Sequence, residues 1–291
     1  MKNVKILIMA QFEPEFELFK KVYFSENTTE VRDIKGLENP LYIREDGIIG
    51  TYGNMGKANS AMSMTLVLSQ PDLDFEKALI FSVGCAGGPF RRVSLGDVII
   101  ANAVVDFELG HHFSPKDINL DLETEEVFLR FPDFDDFAIW QLNPKLVNWA
   151  LDTTEDLELE DPIDLPEKIA KIQTGISVTG DDFWHGEHMS KRADVVVNTA
   201  KHLFSHRKQN VQGFYKSTQC EDNAIATVLN RFNLLNHLLC IRDISNYDSP
   251  TKEISAYVSS KSDSQAFEIG TRNNFKVVDK LVKSISTLHE F

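Results

Sequence analysis

The sequence predicts an α/β fold with a mixed or mostly parallel sheet, and two patterns carry that prediction. Short apolar runs rich in Val, Ile and Leu, of the kind buried on both faces of a sheet, alternate with segments of helical spacing. Glycine-rich or polar stretches follow most of these runs, at the strand ends where such sheets gather ligands. With 291 residues, 42% apolar and 25% charged, the chain can bury a full core. It reads as one domain over residues 1–291, without repeat or linker.

The elements follow in order. "VKILIMA" (Val4–Ala10) is a buried first strand, and "EPEFELFKKVYF" is a helix with Phe16, Phe19 and Val22 on one face. "GIIGTYGNMG" is a strand with a glycine-punctuated exit, and "KANSAMSMTLVLSQ" is a helix of small residues. "KALIFSVG" and "DVIIANAVVDF" are strands on either side of a glycine-rich loop. Residues 114–167 are acidic, proline-punctuated and irregular, so they read as a surface insertion with a helix near "PKLVNWALDTT". "KIQTGISVTGDDFW" gives a strand and a polar turn, "CEDNAIATVLNRF" a helix and "HLLCIRDISNY" a central strand. A long helix from "DSQAFEIGTRNNF" closes the chain.

A formal net charge of −14 argues against a nucleic-acid partner. Three cysteines, Cys85, Cys220 and Cys240, are widely spaced without a Cys-x-x-Cys pair, which argues against a disulfide framework or zinc site and suggests a reducing compartment. The apolar run near the first residue is too short for a signal peptide, and no stretch approaches a membrane span. The expectation is a soluble, cytoplasmic protein that uses neither nucleic acid nor membrane.

Six stretches hold chemistry, each with a plain structural alternative. "GCAGG" (Gly84–Gly88) is either a tight turn or a backbone cradle for an anion or ribose. In "GNMGK", Lys57 either balances a phosphate or is solvated. In "FEPEFE", Glu13, Glu15 and Glu17 suit a helix N-terminus, or one of them points into a pocket as a base. Glu221 and Asp222 of "QCED" are either helix caps or acceptors for vicinal hydroxyls. "RDISNYD" is a polar cluster at a strand end, either a turn or an active site. "GDDFWHGEH" offers aromatics for stacking on a heterocycle. His185 with His188, and His202 with His206, lack a third ligand at a metal-site spacing, so no metal is expected.

Taken in chain order, the stretches resemble the nucleoside phosphorylase superfamily, and within it the purine nucleoside permease (NUP) family, over most of the chain. "FEPE", "GNMGKANSA", "GCAGG…SLGDVIIA", "DDFWHG", "QCEDNA" and "SNYD" carry the likeness. The resemblance implies a three-layer α/β/α sandwich with a central twisted mixed sheet. It implies cleavage of the N-glycosidic bond of a purine nucleoside, giving free base and ribose or ribose 1-phosphate, with phosphorolysis slightly favoured over hydrolysis. A non-catalytic nucleoside-binding or uptake-associated protein is the alternative. No cofactor is implied beyond phosphate as a co-substrate, and a homo-oligomer is expected, with "DFELGHHF" the candidate contribution to a neighbouring subunit.

Carried over by position, Glu221 binds the ribose hydroxyls, Phe183 stacks on the base with Trp184 beside it, and Cys220 packs under the ribose where a methionine is common. Gly84, Cys85, Ala86 and Gly87 hold phosphate or the attacking water, and Glu15 activates that water. Asn246 stabilises the departing purine. It cannot give up a proton as the aspartic acid of several relatives does, so protonation needs Asp248, water, or a 6-oxopurine that leaves as a stabilised anion. Ser82 and Cys85 stand where many phosphorylases have an arginine and a serine, so a phosphate needs another cation: Lys57, Arg91 or Arg92.

Overall fold

The computed structural model describes residues 1–24, 29–113, 127–129, 138–161, 169–249 and 264–288. Fourteen strands and six α-helices lie among them: β1 Lys2–Asn3, β2 Ile6–Ala10, α1 Glu13–Tyr23, β3 Thr29–Arg32, β4 Leu41–Arg44, β5 Ile48–Tyr52, α2 Lys57–Leu68, β6 Leu73–Asp74, β7 Leu79–Pro89 and β8 Val98–Asp106. Then come β9 His111–Phe113, β10 Val127–Leu129, β11 Ile139–Gln141, α3 Pro144–Thr154, β12 Ile172–Thr179, α4 Glu187–His206, β13 Tyr215–Gln219, α5 Asp222–Arg231, β14 Leu238–Ser249 and α6 Ser264–Lys283.

Ten strands form one mixed sheet in the order β11-β8-β12-β13-β7-β2-β5-β4-β3, with β14 pairing both β7 and β8. That double pairing closes β7, β13, β12, β8 and β14 into a ring. Helices α1, α3 and α6 contact one face, α2 and α5 the other, and α4 packs on β12 and β13. The expected three layers around a twisted mixed sheet are present. Helix α1 buries Phe16, Phe19 and Tyr23. Val22, expected on that face, is 52% exposed, because the buried set steps by three and four residues to Tyr23 instead.

Three readings change. The glycine-rich "GCAGG" is not a loop: Gly84–Gly88 continue β7 and pair in parallel with Arg242–Tyr247 of β14. Of the stretch read as a surface insertion, 114–126, 130–137 and 162–168 lie outside the described residues. The rest is built in, since β11 pairs with β8 and α3 buries Leu146, Val147 and Ala150. Helix α4, which ends in "HLFSH", and strand β13 after it are elements that the sequence reading does not contain. No described helix is long and apolar enough to cross a membrane.

Candidate active site

One cavity opens over the C-terminal halves of β7 and β14, and its wall includes Glu15, Cys85, Gly87, Thr218, Glu221, Arg242, Asn246 and Asp248. β14 gains residues on β7 between Ile244 and Asn246 and again between Tyr247 and Ser249. Such bulges bend a strand and re-aim its side chains, and here Arg242, Asn246 and Asp248 all reach the same cavity.

Glu15 is held from three sides by backbone. Its Oε1 accepts from Cys85 N–H at 2.8 Å, and its Oε2 accepts from Phe12 and Gln11 N–H at 3.1 and 3.2 Å. Glu15 thus completes the capping box of α1 and also faces the cavity. Gly84 makes this possible, since its φ is +150° and a Cβ there would stand 2.7 Å from Glu15 Oε2. Burial and the neighbouring carboxylate push the Cys85 thiol well above its ordinary range, so it stays protonated.

Arg242 was not singled out from the sequence, yet it organises the cavity. It is 1% exposed, donates from Nη2 to Asp222 Oδ1 at 2.6 Å, and holds Glu221 Oε2 at 3.2 Å from Nη1. Ser82 and Ser177 complete the shell of Asp222, at 2.8 and 3.2 Å. Neither Glu221 nor Asp222 caps α5. Gln219 does so, its Oε1 accepting from the N–H groups of Glu221 and Asp222 at 2.5 and 2.8 Å. Glu221 is thus free to face the cavity, where Gly56 N–H donates to its Oε1 at 3.2 Å. Burial pushes the Glu221 carboxyl up to about 7, against the opposing pull of Arg242.

Asn246, Thr218 and Asp248 converge on Gly87, where a Cβ would meet Thr218 Oγ1 at 2.9 Å and Asn246 Nδ2 at 3.2 Å. Asp248 is 1% exposed and accepts from Thr218 Oγ1 at 3.1 Å. Burial pushes its carboxyl up to about 7, although hydrogen bonds from Thr218 and Tyr215 oppose the rise. Trp184 stacks on Phe107 with ring centroids 5.2 Å apart, while Phe183 stands 75% exposed at the mouth near Met55. Cys220 is buried in the wall. Of "DFELGHHF", Phe107 is buried under Trp184 and Glu108 binds Lys57.

The candidate phosphate cations are placed elsewhere. Lys57 Nζ lies between Asp106 Oδ2 at 3.2 Å and Glu108 Oε2 at 2.5 Å, in a groove lined by Asn59 and Asp181 that adjoins the cavity through Met55, Phe183 and Cys220. Arg91 and Arg92 both pair with Asp194, at 2.6 and 2.7 Å. Among the described residues, the lysine or arginine in the cavity wall is Arg242.

A family model described as "Purine nucleoside permease (NUP)" matches residues 3–290. The chain belongs to the purine nucleoside permease family. A probable purine nucleoside permease of Schizosaccharomyces pombe is 27% identical over 236 residues, 69% of this chain and 64% of that one. A 5′-methylthioadenosine/S-adenosylhomocysteine nucleosidase of Staphylococcus haemolyticus is 31% identical over 98 residues, 34% of this chain and 40% of that one. This permease-family chain therefore spans less than two thirds of the length of either curated relative. Among solved structures, the same kind of nucleosidase from Neisseria meningitidis, in complex with methylthio-immucillin-A, superposes with a TM-score of 0.61 at 17% identity. The match covers 98% of this permease-family chain and 100% of that one. At that identity the likeness concerns the fold.

Proposed function

We propose that the protein hydrolyses the N-glycosidic bond of a purine nucleoside. The observation that carries this reading is the charge of the cavity wall. Glu15, Glu221 and Asp248 line it, and the guanidinium of Arg242 is already matched by Asp222 and Glu221. Among the described residues of the wall, a phosphate anion would meet Glu15, Glu221 and Asp248 with Arg242 already paired, whereas neutral water is suited to a carboxylate base. This charge balance favours water over the phosphorolysis that the family resemblance alone prefers. The nucleosidase names of the structural neighbour and of the partial relative support the same bond as the target.

In this reading Glu221 accepts from the ribose hydroxyls, and Phe183 and Trp184 pack on the base. Water held at Glu15 and the Cys85–Gly87 backbone attacks C1′. Glu15 takes the water proton, the C1′–N9 bond breaks, and its electron pair leaves with the purine. Asn246 donates a hydrogen bond to the base, and Asp248, half-protonated near neutrality, supplies the proton that makes it a neutral leaving group. The products are ribose and free base. Positioning and preorganised hydrogen bonds account for most of the acceleration.

Incubation with inosine, adenosine and guanosine, each with and without phosphate, tests the proposal. Base should appear at equal rates in both arms. Release that requires phosphate overturns hydrolysis. The second reading, binding without cleavage, is favoured by Asn246 in the place of an acid, and it wins if calorimetry detects nucleoside while no base forms. Glu221→Ala should lower kcat/KM by about 100-fold or more, since ribose hydroxyls would lose a buried partner.

A further inference from the structure

A chain of hydrogen bonds leaves the cavity on the side of Asp248 and runs to the surface. Asp248 Oδ1 lies 3.5 Å from the Tyr215 hydroxyl, and that hydroxyl is in close contact with Ser190 Oγ. Ser190 Oγ is in turn 3.3 Å from Arg91 Nη2. Tyr215 and Ser190 are fully buried, whereas the Arg91 side chain is 43% exposed and holds Asp194 at 2.6 Å. Ser190 sits in the first turn of α4, and Gly186 N–H, just before that helix, donates to the Asp248 carbonyl at 2.7 Å. Two separate contacts therefore tie the start of α4 to this residue.

A guanidinium has donors only and an ionised carboxyl acceptors only, so both ends of the chain are fixed. Arg91 donates to Ser190 Oγ and the Tyr215 hydroxyl donates to Asp248 Oδ1, which sends the serine proton to the Tyr215 oxygen. Thr218 donates to the other carboxyl oxygen at 3.1 Å. With Arg91 removed, Ser190 can turn its proton elsewhere and accept from Tyr215, which weakens the donor on Oδ1.

We propose that Arg91, outside the cavity, acts through Ser190 and Tyr215 to keep a hydrogen-bond donor aimed at Asp248, which makes Arg91 and Tyr215 positioning residues for the proton that Asp248 delivers. The proposal rests on the reading of Asp248 as the acid. The titratable and charged groups around that carboxyl are Tyr215 from β13, Arg91 beyond β7 with Asp194 of α4 behind it, and His185, Glu15, Asp182, Glu221 and Arg242, which share the cavity wall. Burial lowers the affinity of His185 for a proton. A donor on the carboxylate stabilises its charged form, so losing one makes the carboxyl a weaker acid.

Carbon-13 NMR of the full chain labelled at Asp, with the Asp248 signal assigned through Asp248→Asn, follows this carboxyl without relying on turnover. Tyr215→Phe should move its titration midpoint up by about half a pH unit or more. Arg91→Met should move it in the same direction, and the double variant no further than Tyr215→Phe alone. Arg91→Lys, which keeps a donor, should restore the midpoint. The alkaline limb of kcat/KM should follow each of these changes. A midpoint that Thr218→Val raises but that Tyr215→Phe and Arg91→Met leave in place overturns the proposal. If the carboxyl moves as expected while the alkaline limb stays put, the chain stands and Asp248 is not the acid, so the two readings fail separately.

Discussion

Asp243 pairs with Cys85 in the register of β14 on β7 and is 1% exposed, with the side chain of Asn274 from α6 as its polar neighbour. Asn274 Oδ1 is without a donor. Burial, reinforced by the negative charge of Glu15, pushes the Asp243 carboxyl well above the ordinary range. Folded protein thus holds a proton that the unfolded chain releases near pH 4. Native stability carried by that proton is complete in acid and is lost as the pH climbs from there towards the raised native value. Asp243→Asn abolishes this loss and supplies an N–H for Asn274 Oδ1. Urea unfolding of the variant should show a gain of roughly 1–3 kcal/mol at pH 8 and a smaller one at pH 4. Equal changes at both pH values would show that Asp243 is ionised in the native state.

The elements explain which parts of the site were legible. Glu15 and Glu221 stand out in the sequence because acids opening an apolar helix are conspicuous. Asn246 and Asp248 stand out because they interrupt the end of an apolar strand. Arg242 lies in the same strand and passes unnoticed, since its two partners come from another element about twenty residues upstream. The glycines of β7 read as a loop because strands rarely contain them, but the reason for them is the approach of Glu15 and Thr218. β13 is hidden for a related reason: it buries Tyr215, Ser217 and Gln219, polar side chains that leave no apolar alternation. Helix α4 does bury Ala193, Val196, Val197, Ala200 and Phe204 at helical spacing, but Gly186 starts it without a side-chain cap.

Gln219 illustrates how an element and a site share one residue. Its carbonyl oxygen caps α5, and its amide donates to Ser177 and Thr179 at 3.1 and 2.7 Å. Gln219→Ala leaves two helix N–H groups without that acceptor in a buried setting, at a cost of roughly 1–3 kcal/mol. It also releases Glu221 from its fixed approach. Thermal unfolding should register the first effect, and a rise in KM for nucleoside with a smaller fall in kcat should register the second. Wild-type stability in Gln219→Ala would mean that water replaces the cap.

At the scale of the whole molecule, Arg242 ties four elements together: Ser82 on β7, Ser177 on β12 through Asp222, Glu221 and Asp222 at α5, and its own strand β14. Arg242→Met would leave Asp222 and Glu221 buried without their counter-charge. Removing one partner from such a cluster costs about 3–5 kcal/mol, so a large fall in melting temperature at pH 8 is expected. Acid should partly rescue it as Glu221 takes up a proton. A variant that melts like the parent at pH 8 would show that the cluster does not depend on the guanidinium.

The ring of β7, β13, β12, β8 and β14 also governs how the molecule breathes. A sheet that closes on itself has no edge from which to unzip, so the cavity floor cannot open one strand at a time. In the proposed function, entry and exit of a nucleoside then fall to Gly180–Gly186 and the segment before α2, which carry the exposed Phe183 and Met55. Amide exchange in deuterium should divide along that line. Ring strands should exchange only through global unfolding, and the two mouth segments orders of magnitude faster. Fast exchange in β13, which meets β7 through the single register pair Thr218–Gly87, would mark the seam where the ring parts.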